Sequence, residues 1–124
     1  GDHGTTYGGN PLAAAAINKV LDLFLEYNII ENVLEVGAYL EKSLDVLASK
    51  YDCIIDRRGA GLMQGLVFNQ AVAPVINKAL DKGLILINAG TDIIRFVPSL
   101  VIEKKHVDEM ISILDTCIQE TVGA

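Results

Sequence analysis

The sequence predicts an α+β fold, with helices packed on one face of a small, mainly antiparallel sheet. Three observations predict it. Apolar residues recur at helical spacing in long segments near both ends of the chain, as in Ile17, Val20, Leu21 and Phe24. Between them lie short apolar runs rich in β-branched residues, Cys53-Ile54-Ile55, Leu62 to Phe68, Leu84 to Ile87 and Ile93 to Val97, each too short for a helix. These runs come as neighbouring pairs joined by glycine-containing turns, which connect antiparallel strands and not parallel ones. With 124 residues there is material for one core. The expected organisation is a leading loop and connecting helix over 1–27, followed by a small α+β domain over 28–124.

The first helix runs from Pro11 to Tyr27. Asn10 can cap it through its side-chain oxygen, and Pro11 sits at the first helical position, where a missing N–H costs nothing. Ala13 to Ala16 make its first half slim. The second helix spans about Ile30 to Lys50, with Val33, Val36, Leu40, Leu44 and Leu47 on one stripe and Asn28 with Glu31 as a variant capping box. The first strand pair turns at Arg57-Arg58-Gly59-Ala60-Gly61, where both arginines read as solvated charges. Ala73 to Lys82 reads as a short helix, with Gly83 supplying a left-handed residue beyond its end. The second strand pair turns at Asn88-Ala89-Gly90-Thr91-Asp92. The last helix, about Glu103 to Glu120, places Val107, Met110, Ile111, Leu114 and Ile118 on one face.

Composition narrows the function classes. Apolar residues make up 51% and charged residues 21%, which excludes a disordered chain. The formal charge of −6 and only three arginines leave no basic stripe, so nucleic acid is not an expected partner. No apolar stretch reaches the roughly 18 to 20 residues of a membrane-spanning helix, so no membrane partner is expected either. Cys53 and Cys117 lack metal or redox spacing and read as free, buried thiols of a reducing compartment. With no targeting segment in view, the expected compartment is the cytoplasm. The chain opens Gly1-Asp2-His3 without an initiator methionine, and is expected to be the C-terminal piece of a longer protein.

Three stretches could carry chemistry. Gly4-Thr5-Thr6-Tyr7-Gly8-Gly9-Asn10-Pro11 puts two hydroxyls and flexible backbone amides before a helix start, the ingredients of a phosphate cradle, although an ordinary capped loop has the same composition. Arg58-Gly59-Ala60-Gly61-Leu62-Met63 suits a turn or a strand that begins beside another surface. Arg95 lies in the otherwise apolar Ile93-Ile94-Arg95-Phe96-Val97-Pro98, where a planar guanidinium fork faces water, an internal carboxylate or a ligand carboxylate. His3 and His106 have no nucleophile or acid at a recognisable spacing; His106 reads as a solvated helix residue and His3 as a loop residue with no catalytic role.

In this order and at these separations, Gly1 to Leu12, Arg58 to Met63, and Ile94-Arg95-Phe96-Val97-Pro98-Ser99-Leu100 resemble the C-terminal third of the class III pyridoxal-phosphate aminotransferases. The resemblance implies the small C-terminal domain of a fold type I enzyme and the loop leading into it. It implies that Thr6, with Thr5 beside it, binds the cofactor phosphate of pyridoxal 5′-phosphate across a homodimer interface, and that Arg95 binds or positions a substrate carboxylate. Amino-acid and 2-oxo-acid substrates follow from the class. Ser99 stands where the family usually has a second proline, and Glu103 where a better helix cap is usual. None of the lysines matches the one that carries the cofactor, so that lysine and the acidic partner of the pyridine nitrogen are expected upstream, with no catalytic residue in this chain. The rival reading is a non-catalytic oligomerisation module, which the apolar surplus and the alanine run would serve equally well.

Overall fold

A computed structural model describes residues 3–122. The elements in chain order are α1 (Pro11–Glu26), α2 (Ile29–Ala48), β1 (Ile54–Ala60), β2 (Met63–Phe68), α3 (Ala73–Asp81), β3 (Ile87–Ala89), β4 (Ile93–Phe96) and α4 (Lys104–Val122). The chain forms two compact units, residues 1–31 and residues 32–124.

In the first unit, α1 starts as its sequence dictates. The Asn10 side chain accepts from the Ala13 N–H at 3.0 Å, with Pro11 in the first turn. No residue of α1 is buried, and its apolar stripe at Ile17, Val20 and Leu21 stays exposed. Asn28 departs from the expected capping box. It takes a left-handed conformation, φ 48°, and so forms the bend after α1, whereas a capping residue needs extended backbone.

The second unit is a four-stranded antiparallel sheet in the order β1-β2-β4-β3; the pairs β1-β2 and β3-β4 are those the sequence predicts, and β2 against β4 joins them. Strand alternation sends Leu66 and Phe68 of β2, and Ile94 and Phe96 of β4, into one core with Val36, Leu40, Leu44 and Leu47 of α2. Val75 and Ala79 of α3 and Val107, Leu114, Cys117 and Ile118 of α4 complete it. Helices thus cover one face of the sheet. Gly83 ends α3 as expected, at φ 82°, while the Leu84 N–H bonds Ala79 O at 2.8 Å and its own N–H bonds Leu80 O at 3.0 Å. Both cysteines are free and buried.

Two strand boundaries differ from the sequence expectation. β1 continues through Arg57, Arg58 and Gly59 to Ala60, so the connection is only Gly61-Leu62. A register irregularity between Ile54 and Asp56 resets the alternation, leaving Ile55 exposed and turning Arg57 toward the helix-covered face. Leu84 to Leu86 stay outside the ladder; β3 begins at Ile87, where pairing with Arg95 becomes available.

Candidate substrate and cofactor contacts

Thr5 and Thr6 lie in the first unit and Arg95 in the second. The turn that shapes the threonine loop is closed by Asn10, whose N–H and Nδ2 both donate to Tyr7 O, at 3.4 and 2.7 Å. Gly9 takes φ 72°, and at Gly8 a side chain would collide with the Thr5 methyl group, so Thr5 packs directly on bare backbone. Both threonines are exposed, and among the described residues neither hydroxyl makes a hydrogen bond. They remain available as donors to an external acceptor. The helix end itself contributes less than the sequence suggests. Pro11 has no N–H, Ala13 N–H is taken by the Asn10 side chain and Ala14 N–H by Asn10 O, which leaves Leu12 N–H in the first turn. A phosphate at this loop would be held chiefly by hydroxyls and loop amides.

Arg95 is exposed in the middle of β4, directly opposite Gly65 of β2 and Ile87 of β3. Ile94 and Phe96 on either side of it point into the core, so Arg95 projects from the helix-free face. No carboxylate pairs with it among the described residues. Arg95 also helps to line a cleft of about 350 Å³ whose other walls are apolar except for His106.

His106 has a structural task that spacing alone does not give. Its Nδ1 accepts from the Glu103 backbone N–H at 2.9 Å, closing the start of α4 from the third helical position. Glu103 therefore serves as a helix start because His106 supplies the missing bond. The Ser99 region is tied down by Asn32, whose amide donates to Leu100 O at 2.8 Å and to Ile102 O at 3.1 Å.

Arg57 corrects the expectation of a solvated charge. Its guanidinium donates to Asp45 at 2.5 Å, to Glu41 at 2.6 Å and to Gln64 Oε1 at 3.0 Å, and its side chain is 18% exposed. The hydrogen bond to Asp45 outweighs desolvation and raises the pKa of Arg57 above its ordinary value. Gln64, the buried polar residue of β2, passes the network on by donating to Gly61 O at 2.9 Å. Arg58 points to the other face and pairs with Asp56 at 2.7 Å.

Six of the seven lysines, Lys19, Lys50, Lys78, Lys82, Lys104 and Lys105, sit in ion pairs with carboxylates. Lys42 is exposed on α2. A lysine that reacts with a carbonyl is activated by burial or by an uncompensated neighbouring cation; Lys78 and Lys82 neighbour each other but share the Glu120 carboxylate, and none of the seven is buried. Among the described residues no cluster of His, Cys, Asp or Glu could hold a metal ion.

A family model described as "Aminotransferase class-III" matches residues 1–118. The chain belongs to the class III aminotransferases. It is 41% identical over 121 residues to the mitochondrial acetylornithine aminotransferase of Candida glabrata, covering 97% of this chain and 28% of that protein. It is also 41% identical to the acetylornithine aminotransferase of Methanocaldococcus jannaschii, again over 97% of this chain and over 30% of the relative. Among solved structures, the acetylornithine aminotransferase of Elizabethkingia anophelis superposes with a TM-score of 0.86 at 29% identity, covering 97% of this chain and 31% of that one. The chain thus spans less than a third of the length of these relatives.

Proposed function

We propose that this chain is the C-terminal part of a longer pyridoxal-phosphate-dependent aminotransferase that transfers an amino group between N-acetylornithine and 2-oxoglutarate. Pyridoxal phosphate, when bound, supplies the electron sink that such a transfer needs. The residues present fit its phosphate end, since Thr5 and Thr6 offer two exposed hydroxyls without internal partners. They do not fit its carbonyl end, because the lysines are surface ion-pair residues apart from exposed Lys42. The reactive lysine and the acid that faces the pyridine nitrogen belong to the remainder of the enzyme.

In this reading Thr6, with Thr5 beside it, donates to the cofactor phosphate of the partner subunit in a homodimer. Exposed Ile17, Val20 and Leu21 on α1 support a role for the first unit in an interface. Arg95 binds a substrate carboxylate through its fork, which projects from the helix-free face beside Ile87 of β3. Two buried free thiols support a reducing compartment, and the cytoplasm is the location proposed.

The observation that carries the reading is Arg95, a guanidinium on the helix-free face with no internal carboxylate among the described residues. Arg95→Lys keeps the charge and loses the two parallel hydrogen bonds, worth about 1.5–3 kcal/mol. In the full-length enzyme the KM for 2-oxoglutarate should rise roughly tenfold to a hundredfold. Wild-type kinetics with both substrates would make Arg95 a solvated strand residue and remove the basis of the proposal. Within the class, ornithine or 4-aminobutyrate is the alternative amino donor, and a higher kcat/KM with either would reassign the enzyme.

A further inference from the structure

The two edges of the sheet are unlike. In the order β1-β2-β4-β3, the outer sides of β1 and β3 have no partner strand among the described residues. β1 carries the devices that keep a free edge from pairing, namely the register irregularity between Ile54 and Asp56 and the charges of Asp56, Arg57 and Arg58. The other edge carries none of them. From Leu84 to Thr91 the sequence LILINAGT has neither a charge nor a proline.

The run that enters β3 is a strand in all but its pairing. Leu84 and Leu86 pack against the core while Ile85 is 79% and Ile87 37% exposed, the alternation of an extended chain. Ile87 joins the ladder opposite Arg95. Before it, neither the N–H nor the C=O of Ile85 or Leu86 makes a hydrogen bond among the described residues, although a strand normally satisfies these groups. The same run forms one wall of the cleft of about 350 Å³, with Phe96, Ile102 and Val107 among the other walls. Unpaired backbone beside an apolar hollow is what strand addition uses, since main-chain bonds hold the added segment and pockets receive its alternate side chains.

We propose that an extended, mainly apolar segment from the remainder of the parent polypeptide adds to this edge as a further strand, pairing with the Ile85–Leu86 backbone and sending side chains into the cleft. The inference rests on the reading of this chain as part of a longer enzyme. More than two thirds of the length of each relative has no counterpart in this chain, so the parent has ample chain to supply the strand. A segment tethered to the same sheet meets the edge at a high effective concentration, an advantage that a second copy lacks. Because Ile87 stands opposite Arg95, the added strand would flank the face from which Arg95 projects.

The test uses the purified full-length enzyme. Amide hydrogen exchange resolved to single residues should show Ile85 or Leu86, whichever N–H faces the edge, slowed more than about a hundredfold relative to an unstructured peptide. A diazirine-bearing aliphatic residue of similar size is then placed at Ile85, irradiated, and its product mapped by mass spectrometry. The expected product joins position 85 to a segment outside residues 1–124 and keeps the mass of one polypeptide on a denaturing gel. A product of doubled mass would put a second copy on the edge and overturn the inference. A join within residues 1–124, no join at all, or exchange of both amides at the unstructured rate would overturn it too. Activity with N-acetylornithine and 2-oxoglutarate is measured on the same preparation. An inactive enzyme that shows the internal join overturns the substrate reading and supports this inference, whereas an active enzyme without the join overturns this inference alone.

Discussion

Arg57→Met removes a guanidinium from the helix-covered face of the sheet while keeping the length of its stem. Gln64 then loses the donor to its Oε1, and Gln64 is 2% exposed, so water cannot replace the bond. A buried acceptor left without a partner costs about 1–3 kcal/mol. The lost pairs with Glu41 and Asp45 add no more than about 0.5 kcal/mol each, because both carboxylates are about half exposed and already solvated. The expected total is about 2–3 kcal/mol. Urea denaturation followed by far-UV circular dichroism should show a midpoint lower by about 1–2 M. Gln64→Leu alone should cost about 1–2 kcal/mol, through the bond from Arg57 and the bond to Gly61 O. The double variant should cost less than the sum by about 1 kcal/mol or more, since Gln64 Oε1, the buried acceptor that Arg57→Met alone leaves without a donor, is then absent. A loss below about 0.5 kcal/mol for Arg57→Met, or strict additivity in the cycle, would refute the claim that the pair is coupled and buried.

Tyr51 and Gly37 give two further tests. Burial first, then its hydrogen bond to Asp115 at 2.6 Å, push the Tyr51 hydroxyl up to about 12 from its ordinary value near 10. An unfolded chain therefore releases this proton first, so the stabilisation is complete below pH 10 and is lost between pH 10 and 12. Allowing for partial exposure the loss is about 1–2 kcal/mol, and Tyr51→Phe should flatten that part of the pH–stability curve; an unchanged slope would show that Tyr51 is not protected. Gly37→Ala should destabilise by about 1–2 kcal/mol, because overpacking against the Gly61 backbone exceeds the gain in helix propensity. A raised thermal midpoint would mean that α2 and the β1–β2 turn do not approach so closely.

Much of this fold follows from period and punctuation. The stripe Val36, Leu40, Leu44 and Leu47 on α2, the Asn10-Pro11 start of α1 and the Gly83 stop of α3 are local signals, each with its physical cause inside a few residues. Alternation alone also allowed Arg95 to be placed on the open face. The inward turn of Arg57 was not legible, because it depends on an irregularity at Ile54/Asp56 and on carboxylates 16 and 12 residues earlier in the chain. Composition misled at the β1–β2 turn, where Arg57-Arg58-Gly59 looks like a loop but continues the ladder. Leu84 to Leu86 misled in the opposite sense, being apolar enough for a strand yet lacking a partner before Ile87.

The central claim is that this chain supplies the phosphate donor of an aminotransferase, and cofactor affinity in the full-length enzyme tests it most directly. Thr6→Val keeps the shape and deletes the hydroxyl, so the Kd for pyridoxal phosphate should rise about tenfold to a hundredfold, corresponding to a lost charge-assisted bond of about 1.5–3 kcal/mol. Thr6→Ser should restore it. In a mixed dimer of a Thr6→Val subunit with one that lacks the cofactor-carrying lysine, the sole functional site should keep normal affinity, since its loop comes from the Thr6-intact partner. Unchanged affinity in the Thr6→Val homodimer would contradict the account, and weak binding in the mixed dimer would contradict its cross-subunit arrangement.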